Sequence, residues 1–288
     1  MSRSESTCWL RTRRISVSWR FRAAEASVWN SEYDGFRLAR ENDRGVATIT
    51  LDVPDKLNRV SMEGREELAG VFGELGGDDA VRVVVLRGAG DDAFTAGGDV
   101  GMFMQRDAET LSHLHVNVGA PERCPKPVIA QLHGYCFGVG LELALACDFR
   151  VASDDVQLAL PELTLGMIPG SGGASRLVKL IGASRAKDVV MRGRRVSAAE
   201  AQAWGLLCEV VPRDALGAAV ASLADELAAR PALALRTAKR VIGQAQDAPL
   251  SVAMELEGLA YGLLRGTHDF AEGVSAFVEK RKPRYEDR

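Results

Sequence analysis

The sequence has few of the side chains that build disulfide frameworks or metal sites. It holds five cysteines, an odd number, and no two of them form a C-x-x-C pair. Two of its four histidines, His113 and His115, are two residues apart, a spacing that does not share one helical face. No H-E-x-x-H motif or Cys/His cluster occurs. We therefore expect reduced, mostly buried thiols in a cytoplasmic protein, and no metal.

Charge and hydropathy exclude further classes of protein. A net charge of −3 argues against a general nucleic-acid binder. The longest apolar region, residues 128–152, is interrupted by His133, Glu142, Asp148 and Arg150. A membrane-spanning helix needs about 20 consecutive apolar residues, so we expect no membrane span and no membrane partner.

Two glycine-containing stretches and one missing motif argue against a nucleotide site and against a serine hydrolase. Gly88, Gly90 and Ala93 form a G-x-G-x-x-A match after an apolar run, but Asp91 and Asp92 would repel a pyrophosphate. The stretch "GSGGASR" at 170–176 has no P-loop lysine, and no G-x-S-x-G elbow exists. The sequence therefore disfavours these three kinds of site.

The chain divides into three parts by pattern. Residues 1–30 are rich in Arg and Ser and lack an apolar stretch long enough for a secretory signal. A transit peptide and a disordered extension outside the fold both remain open, and we take the second as our expectation. Residues 31–208 are expected to form an α/β core, and residues 209–288 are expected to be helical.

Strands and helices are predicted from residue 35 onward. The run "VRVVVLRG" is continuously apolar and β-branched, which is typical of a strand buried on both faces, and "KPVIAQLHG" is a second such run. Ser61 is predicted to cap a helix. "FRLARENDRGVATITLD" predicts two strands around a turn at 43–45, and "DFRVASDDVQLAL" predicts two more. The predicted C-terminal helices span 186–192, 198–204, 215–229, 231–245, 251–264 and 270–280.

Two carboxylates lie in apolar surroundings, each next to a glycine-rich turn. Glu142 falls inside "GVGLELALACD", and Glu162 follows Pro161 in "LALPELTLG". A buried carboxylate is costly unless it is paired, hydrogen-bonded or used. Burial raises a carboxyl pKa and makes the group a usable general acid or base near neutral pH. One such residue is usually structural, whereas two beside bare backbone turns indicate a site.

Four motifs in order resemble the enoyl-CoA hydratase/isomerase (crotonase) superfamily. They are "AFTAGGDVGMF", "KPVIAQLHGYCFGVGLELALACDFRVAS", "LPELTLGMIPGSGGASRL" and the C-terminal "FVEKRKPRY". The resemblance implies a crotonase-like α/β fold, the ClpP/crotonase spiral of ββα units, with a helical C-terminal part. It also implies an acyl-coenzyme A thioester substrate, no cofactor beyond that coenzyme A, and a homotrimer or homohexamer. In such an assembly residues 31–208 would carry the active site, and the helical region 209–288 would serve for oligomerisation and for covering that site.

The resemblance implies roles for individual residues. Glu142 matches the residue that activates water and Glu162 the donor of the α-proton. Ala96 and Val139 match the two backbone donors of the oxyanion hole. The bulk of Val139, Phe137 and Leu141 suggests a narrowed acyl pocket. The residues expected to contact the substrate or its coenzyme A are Lys56, Leu57, Ala96, Gly97, Gly98, Asp99, Val100, Gly138, Val139, Pro161, Lys280 and Lys282.

The presence of both glutamates favours a 2-enoyl-CoA hydratase. An isomerase, a ring hydrolase or a decarboxylase on the same scaffold remains open, because one fold hosts many chemistries. A non-catalytic binding protein that uses the Arg-rich N-terminus is a remote alternative.

Overall fold

The computed structural model describes residues 28–41 and 44–288. Residues 1–27 of the expected N-terminal extension, and Asp43 of the expected turn, lie outside the described residues. The expectation that residues 28–30 are also outside the fold is wrong. Val28–Asn30 form a 3-10 turn, and the Val28 and Trp29 side chains pack against the main core. The Tyr33 hydroxyl donates to the Val28 carbonyl at 2.6 Å, which holds this turn in place.

In the part of the chain that the structure describes, ten strands form two sheets. The strands are β1 (Phe36–Glu41), β2 (Val46–Leu51), β3 (Val83–Gly88), β4 (Ala93–Thr95), β5 (Val128–Leu132), β6 (Tyr135–Phe137), β7 (Phe149–Ser153), β8 (Gln157–Ala159), β9 (Val196–Ser197) and β10 (Glu209–Val211). The larger sheet has the order β1-β2-β3-β5-β7-β10 and the smaller β4-β6-β8-β9. Only the β1–β2 and β8–β9 pairs are antiparallel; the other described pairs are parallel.

The centre of the larger sheet is buried on both faces, as its sequence predicts. Val83, Val84, Val85 and Leu86 of β3 are each at most 5% exposed. Val84 and Leu86 belong to the main core, whereas Val83 and Val85 face a second core beneath a C-terminal helix. β-Branched side chains suit this pleated, two-sided environment.

Twelve helices accompany the sheets in the described residues. They are α1 (Met62–Gly77), α2 (Val100–Phe103), α3 (Ala108–Ser112), α4 (Leu114–Val118), α5 (Ala120–Arg123), α6 (Val139–Ala146), α7 (Gly173–Arg192), α8 (Ala198–Ala203), α9 (Leu216–Ala228), α10 (Ala232–Ala245), α11 (Leu250–Leu264) and α12 (His268–Glu279). Ser61 caps α1 as predicted, accepting a hydrogen bond from the Gly64 N–H at 2.8 Å. No helix among the described residues is long and apolar enough to cross a membrane.

The smaller sheet positions the candidate site. β4, β6 and β8 lie side by side and run parallel, so their carboxyl ends meet at one edge. The segments that leave this edge are residues 96–99, residues 138–139 and residues 160–162. Three motifs that are far apart in the sequence therefore converge at one place.

Candidate active site

The segment after β4 carries a free backbone donor, but not the one expected. The Ala96 N–H donates to the Leu57 carbonyl at 2.9 Å, and the Gly97 N–H donates to Thr95 Oγ1 at 3.1 Å. The assignment of Ala96 as an oxyanion donor is therefore wrong, because its N–H is already used. The Gly98 N–H has no acceptor among the described residues, so Gly98 is the candidate donor of this segment.

The segment after β6 supplies the second donor. The Gly138 N–H bonds to the Ala159 carbonyl at 3.0 Å, and Gly138 has a φ of +53°, which turns the chain into α6. Val139 is the first residue of α6, where backbone N–H groups have no intrahelical acceptor. The positive end of the helix dipole adds to this electropositive position. Val139 thus keeps its predicted role as a candidate donor.

The expected narrowing of the acyl pocket by bulky residues is wrong for two of the three. The Val139 side chain is 5% exposed and that of Leu141 is fully buried, and both pack into the main core. The centroid of the half-buried Phe137 ring lies 5.1 Å from that of the Tyr135 ring. The Arg195 guanidinium lies over the Phe137 ring, 5.1 Å from the same Phe137 centroid. Only the backbone of Val139 is therefore available to a ligand at the start of α6.

Glu142 is held in place by backbone donors. It is 3% exposed and lies in the first turn of α6. Its Oε1 accepts hydrogen bonds from the Ser171 N–H at 2.7 Å and from the Gly173 N–H at 3.1 Å. Gly173 begins α7, so both donors belong to the electropositive end of that helix. These bonds fix the carboxylate and leave its second oxygen available for water.

Glu162 occupies a different electrostatic environment. It begins a 3-10 turn after Pro161, and its Oε1 lies 3.2 Å from the position that a Cβ on Gly138 would take. Its buried Oε2 has no hydrogen-bond partner among the described residues. Burial, together with the negative charge of Glu142, raises the pKa of Glu162 to about 7. At neutral pH this carboxyl group can therefore either donate or accept a proton.

The loop that carries Lys56 and Leu57 lies against the segment after β4. Besides the Ala96–Leu57 bond, the Val60 N–H donates to the Gly97 carbonyl at 2.9 Å. Lys56 itself is exposed at the end of a 3-10 turn. The structure therefore brings these two predicted contact residues to the rim of the site.

Asn58 fixes this loop, and sequence reasoning missed it. Its side chain is 1% exposed, accepts from the Val53 N–H at 3.1 Å, and donates to the carbonyls of Ala89 and Ala93 at 2.7 and 2.8 Å. A lone asparagine in the polar stretch "PDKLN" carries no signal that distinguishes this role.

Of the remaining predicted contact residues, two lie in the site and two lie at the start of the short helix α2. Gly97 lies 3.9 Å from the Cβ position of Gly138, and Pro161 precedes Glu162, so both are in the site. Asp99 occupies the N-cap position of the short helix α2 without a capping hydrogen bond from its side chain, and Val100 begins the helix. Asp99 also forms an ion pair with Arg59 at 2.9 Å.

Lys280 and Lys282 belong to the exposed C-terminal end of the chain, and among the described residues no side-chain hydrogen bond or ion pair joins either lysine to a site residue. Asp287 of this tail pairs with Arg82 and accepts from the Ala232 N–H at 2.7 Å. The role of the two lysines at the coenzyme A stays a prediction.

Sequence reasoning also missed a buried cation beside the site. Arg65 of α1 is 2% exposed, and its Nη2 occupies the space that a Cβ on Gly98 would fill. Only glycine at position 98 permits this approach. A signal existed: Arg65 stands at helical spacing from the buried Leu68 and Phe72, on the face of α1 that is otherwise apolar.

Comparison with known proteins agrees with this geometry. Residues 41–288 match the family model described as enoyl-CoA hydratase/isomerase. The 2,3-dehydroadipyl-CoA hydratase of Escherichia coli is 35% identical over 245 residues, which cover 84% of this chain and 96% of that protein. The crotonyl-CoA hydratase of Syntrophomonas wolfei is 33% identical over 250 residues, covering 85% and 96%. The crystal structure of an enoyl-CoA hydratase from Bacillus anthracis superimposes with a TM-score of 0.82 at 36% identity, covering 88% of this chain and 100% of the other.

Proposed function

The chain belongs to the enoyl-CoA hydratase/isomerase family, and from that premise we propose that it is a 2-enoyl-CoA hydratase. The observation that carries the proposal is the pair Glu142, which is buried, and Glu162, which is half-buried with one buried oxygen: two carboxyl groups in different environments at one site. Glu142 is fixed by two backbone N–H groups, and the pKa of Glu162 is raised to about 7 by burial. Two titratable groups in contrasting surroundings suit an acid and a base in one reaction.

The proposed reaction begins with water held by Glu142. The carboxylate accepts a proton from water as the oxygen bonds to the β-carbon, and the electrons of the double bond move onto the thioester oxygen. The N–H groups of Gly98 and Val139 stabilise the resulting enolate. Each donor of this kind contributes about 3–4 kcal/mol to the transition state in other enzymes.

Glu162 completes the addition. In its protonated form it donates a proton to the α-carbon, and the enolate returns to the thioester. Glu142 then carries a proton and Glu162 a negative charge, and proton exchange with solvent restores the starting state.

The proposal extends to the setting of the reaction. Coenzyme A enters as part of the substrate, with Lys56 beside it, and the reaction needs no metal or further cofactor. We place the protein in the cytoplasm as a homotrimer or homohexamer. Exposed apolar side chains on α11 and α12 support the assembly, and in it Lys280 and Lys282 would serve a neighbouring subunit's site.

A product analysis tests the proposed function. The protein is incubated in H₂¹⁸O with a panel of straight, branched and carboxylated 2-enoyl-CoA thioesters and, separately, with 3-enoyl-CoA thioesters, and products are identified by mass spectrometry. A hydratase yields 3-hydroxyacyl-CoA that carries the heavy oxygen on at least one substrate. An isomerase shifts the double bond of a 3-enoyl-CoA without a gain in mass, using Glu162 alone. Isomerisation without any hydration would contradict the proposal.

A further inference from the structure

A buried guanidinium without partners lies beside the candidate oxyanion donor. Arg65 is 2% exposed, and its Nε and Nη2 atoms have no hydrogen-bond partner among the described residues. Its head group fills the space next to the Cα of Gly98 and lies over the Phe103 ring, 5.6 Å from the centroid. The mechanism above gives Arg65 no role.

Arg150 is a second buried arginine, and its hydrogen bonds are those of a purely structural residue. Arg150 is 6% exposed, and its Nε donates to the Leu206 carbonyl at 2.7 Å. Its Nη1 donates to the carbonyls of Cys147 at 2.7 Å and Ala144 at 3.3 Å. Arg65 has none of these contacts, so packing alone does not account for a charged group at this position.

Burial without a hydrogen-bond partner is unfavourable for the charged form of Arg65. Burial lowers its pKa from the usual range, and the negative charge of Glu142 acts in the opposite direction. Glu142 forms no ion pair or hydrogen bond with Arg65 among the described residues; its Oε1 instead accepts from the N–H groups of Ser171 and Gly173. A buried cation in this state is stabilised when an anion binds to it.

The two unpartnered donors match one kind of ligand. Nε and Nη2 form a single edge of the planar guanidinium, and this edge binds both oxygens of a carboxylate through two parallel hydrogen bonds. A hydroxyl or a carbonyl would satisfy only one of the two.

We propose that Arg65 binds a carboxylate carried by the acyl group of the substrate. Because the thioester oxygen lies at the Gly98 N–H and Arg65 lies beside the same glycine, the carboxylate is only a few bonds from the reacting double bond. The substrate class is therefore a short 2-enoyl-CoA whose acyl chain ends in a carboxylate. The inference rests on the proposed function for the placement of the thioester.

A binding measurement tests this without any turnover. Isothermal titration compares two saturated thioesters of equal chain length, glutaryl-CoA and pentanoyl-CoA, with the wild-type protein. A charge-assisted bidentate pair at a buried site predicts about 10- to 100-fold tighter binding of glutaryl-CoA. Equal affinities, or a preference for pentanoyl-CoA, would overturn the proposal. The wild-type result decides this alone, even if variants fold poorly.

Variants locate the preference. Arg65→Met should abolish the preference for glutaryl-CoA while leaving the affinity for pentanoyl-CoA nearly unchanged, and Arg65→Lys should retain part of it. Arg106→Met removes a cation that pairs with Glu63 of α1 at the surface, and it should leave the preference intact. If Arg65→Met weakened both ligands equally in a folded protein, Arg65 would be structural and the proposal would fall.

The two proposals can fail independently. A preference for glutaryl-CoA with no hydration of any enoyl-CoA would remove the hydratase and keep the carboxylate site. Hydration of neutral and carboxylated substrates at equal kcat/KM would do the reverse.

Discussion

At the scale of single residues, one chemical group acquires two behaviours from its surroundings. Glu142 accepts two backbone hydrogen bonds, whereas the buried Oε2 of Glu162 accepts none from the described residues. Hydrogen bonds to the charged form favour ionisation, and burial without them disfavours it. In the proposed reaction, Glu162 is therefore the group that holds the proton for the α-carbon.

The raised pKa of Glu162 predicts a pH-dependent cost in stability. Its folded-state pKa of about 7 exceeds the ordinary 4.5, so the folded protein binds this proton more tightly than the unfolded chain does. Between pH 4.5 and 7 the unfolded chain releases this proton while the folded protein still holds it, so the free energy of unfolding falls as pH rises. We expect Glu162→Gln to raise Tm above that of the wild type at pH 8, with the difference vanishing towards pH 4.5.

The control for this prediction is Glu255→Gln, a change at an exposed position on α11. Differential scanning calorimetry across this pH range should show no pH-dependent difference for that variant. If Glu162→Gln were less stable than the wild type at pH 8, Glu162 would be stabilised as a carboxylate, contrary to our account.

Some residues of the site could be predicted from the sequence, and others could not. Glu142 and Glu162 stood out because charged side chains interrupt apolar segments. The choice of Ala96 over Gly98 failed because the sequence does not show which N–H pairs with Leu57, 39 positions earlier in the chain. Arg65 was missed because Gly98, the residue that makes room for it, lies 33 positions later in the chain.

At the scale of elements, local patterns predicted most strands and long helices. The β-branched run became β3, and five of the six predicted C-terminal helices match α8 to α12 within a few residues. The sixth, α7, begins 13 residues earlier than predicted, at Gly173 rather than residue 186. Gly182, with φ +78°, interrupts it and breaks the helical periodicity. Strand order could not be predicted, since it depends on pairing between distant segments.

Asn58 connects its own loop to the segment that leads into β4, and we expect this connection to contribute to the stability of the fold. Asn58→Ala removes three hydrogen bonds and leaves the buried carbonyl of Ala93 and the part-buried carbonyl of Ala89 without this donor. Unsatisfied buried polar groups are costly, so we expect the free energy of unfolding to fall by roughly 2–4 kcal/mol. Urea denaturation measures it.

The comparison variant for Asn58 is Asn117→Ala on α4, outside these loops. We expect a change below about 1 kcal/mol there. A similarly small effect of Asn58→Ala would show that the loops are held by their backbone bonds alone.

At the scale of the whole molecule, the C-terminal helices present an unpartnered apolar surface. No residue of α10 is buried, and only Ala253 of α11 is. Leu263 and Phe277 are 79% and 85% exposed. Large exposed apolar patches mark interaction surfaces, which supports the proposed homotrimer or homohexamer.

Light scattering tests the assembly. We expect the mass of a trimer or hexamer at micromolar concentration, and Leu263→Glu together with Phe277→Glu should lower it. Met191→Glu changes an exposed apolar residue on α7, outside these helices, and should have less effect. A stable wild-type monomer would refute the proposed assembly.

The paired carboxylates are tested most directly by the turnover of Glu142→Gln, Glu162→Gln and the double variant on the best enoyl-CoA substrate. Each change preserves size and removes the group that transfers the proton, so kcat should fall about 10²- to 10⁴-fold. Affinity for the matching saturated acyl-CoA should barely change, and the double variant should lose far less than the product of the two single losses. Wild-type turnover in both single variants would contradict the account and leave Glu142 a buried structural acid.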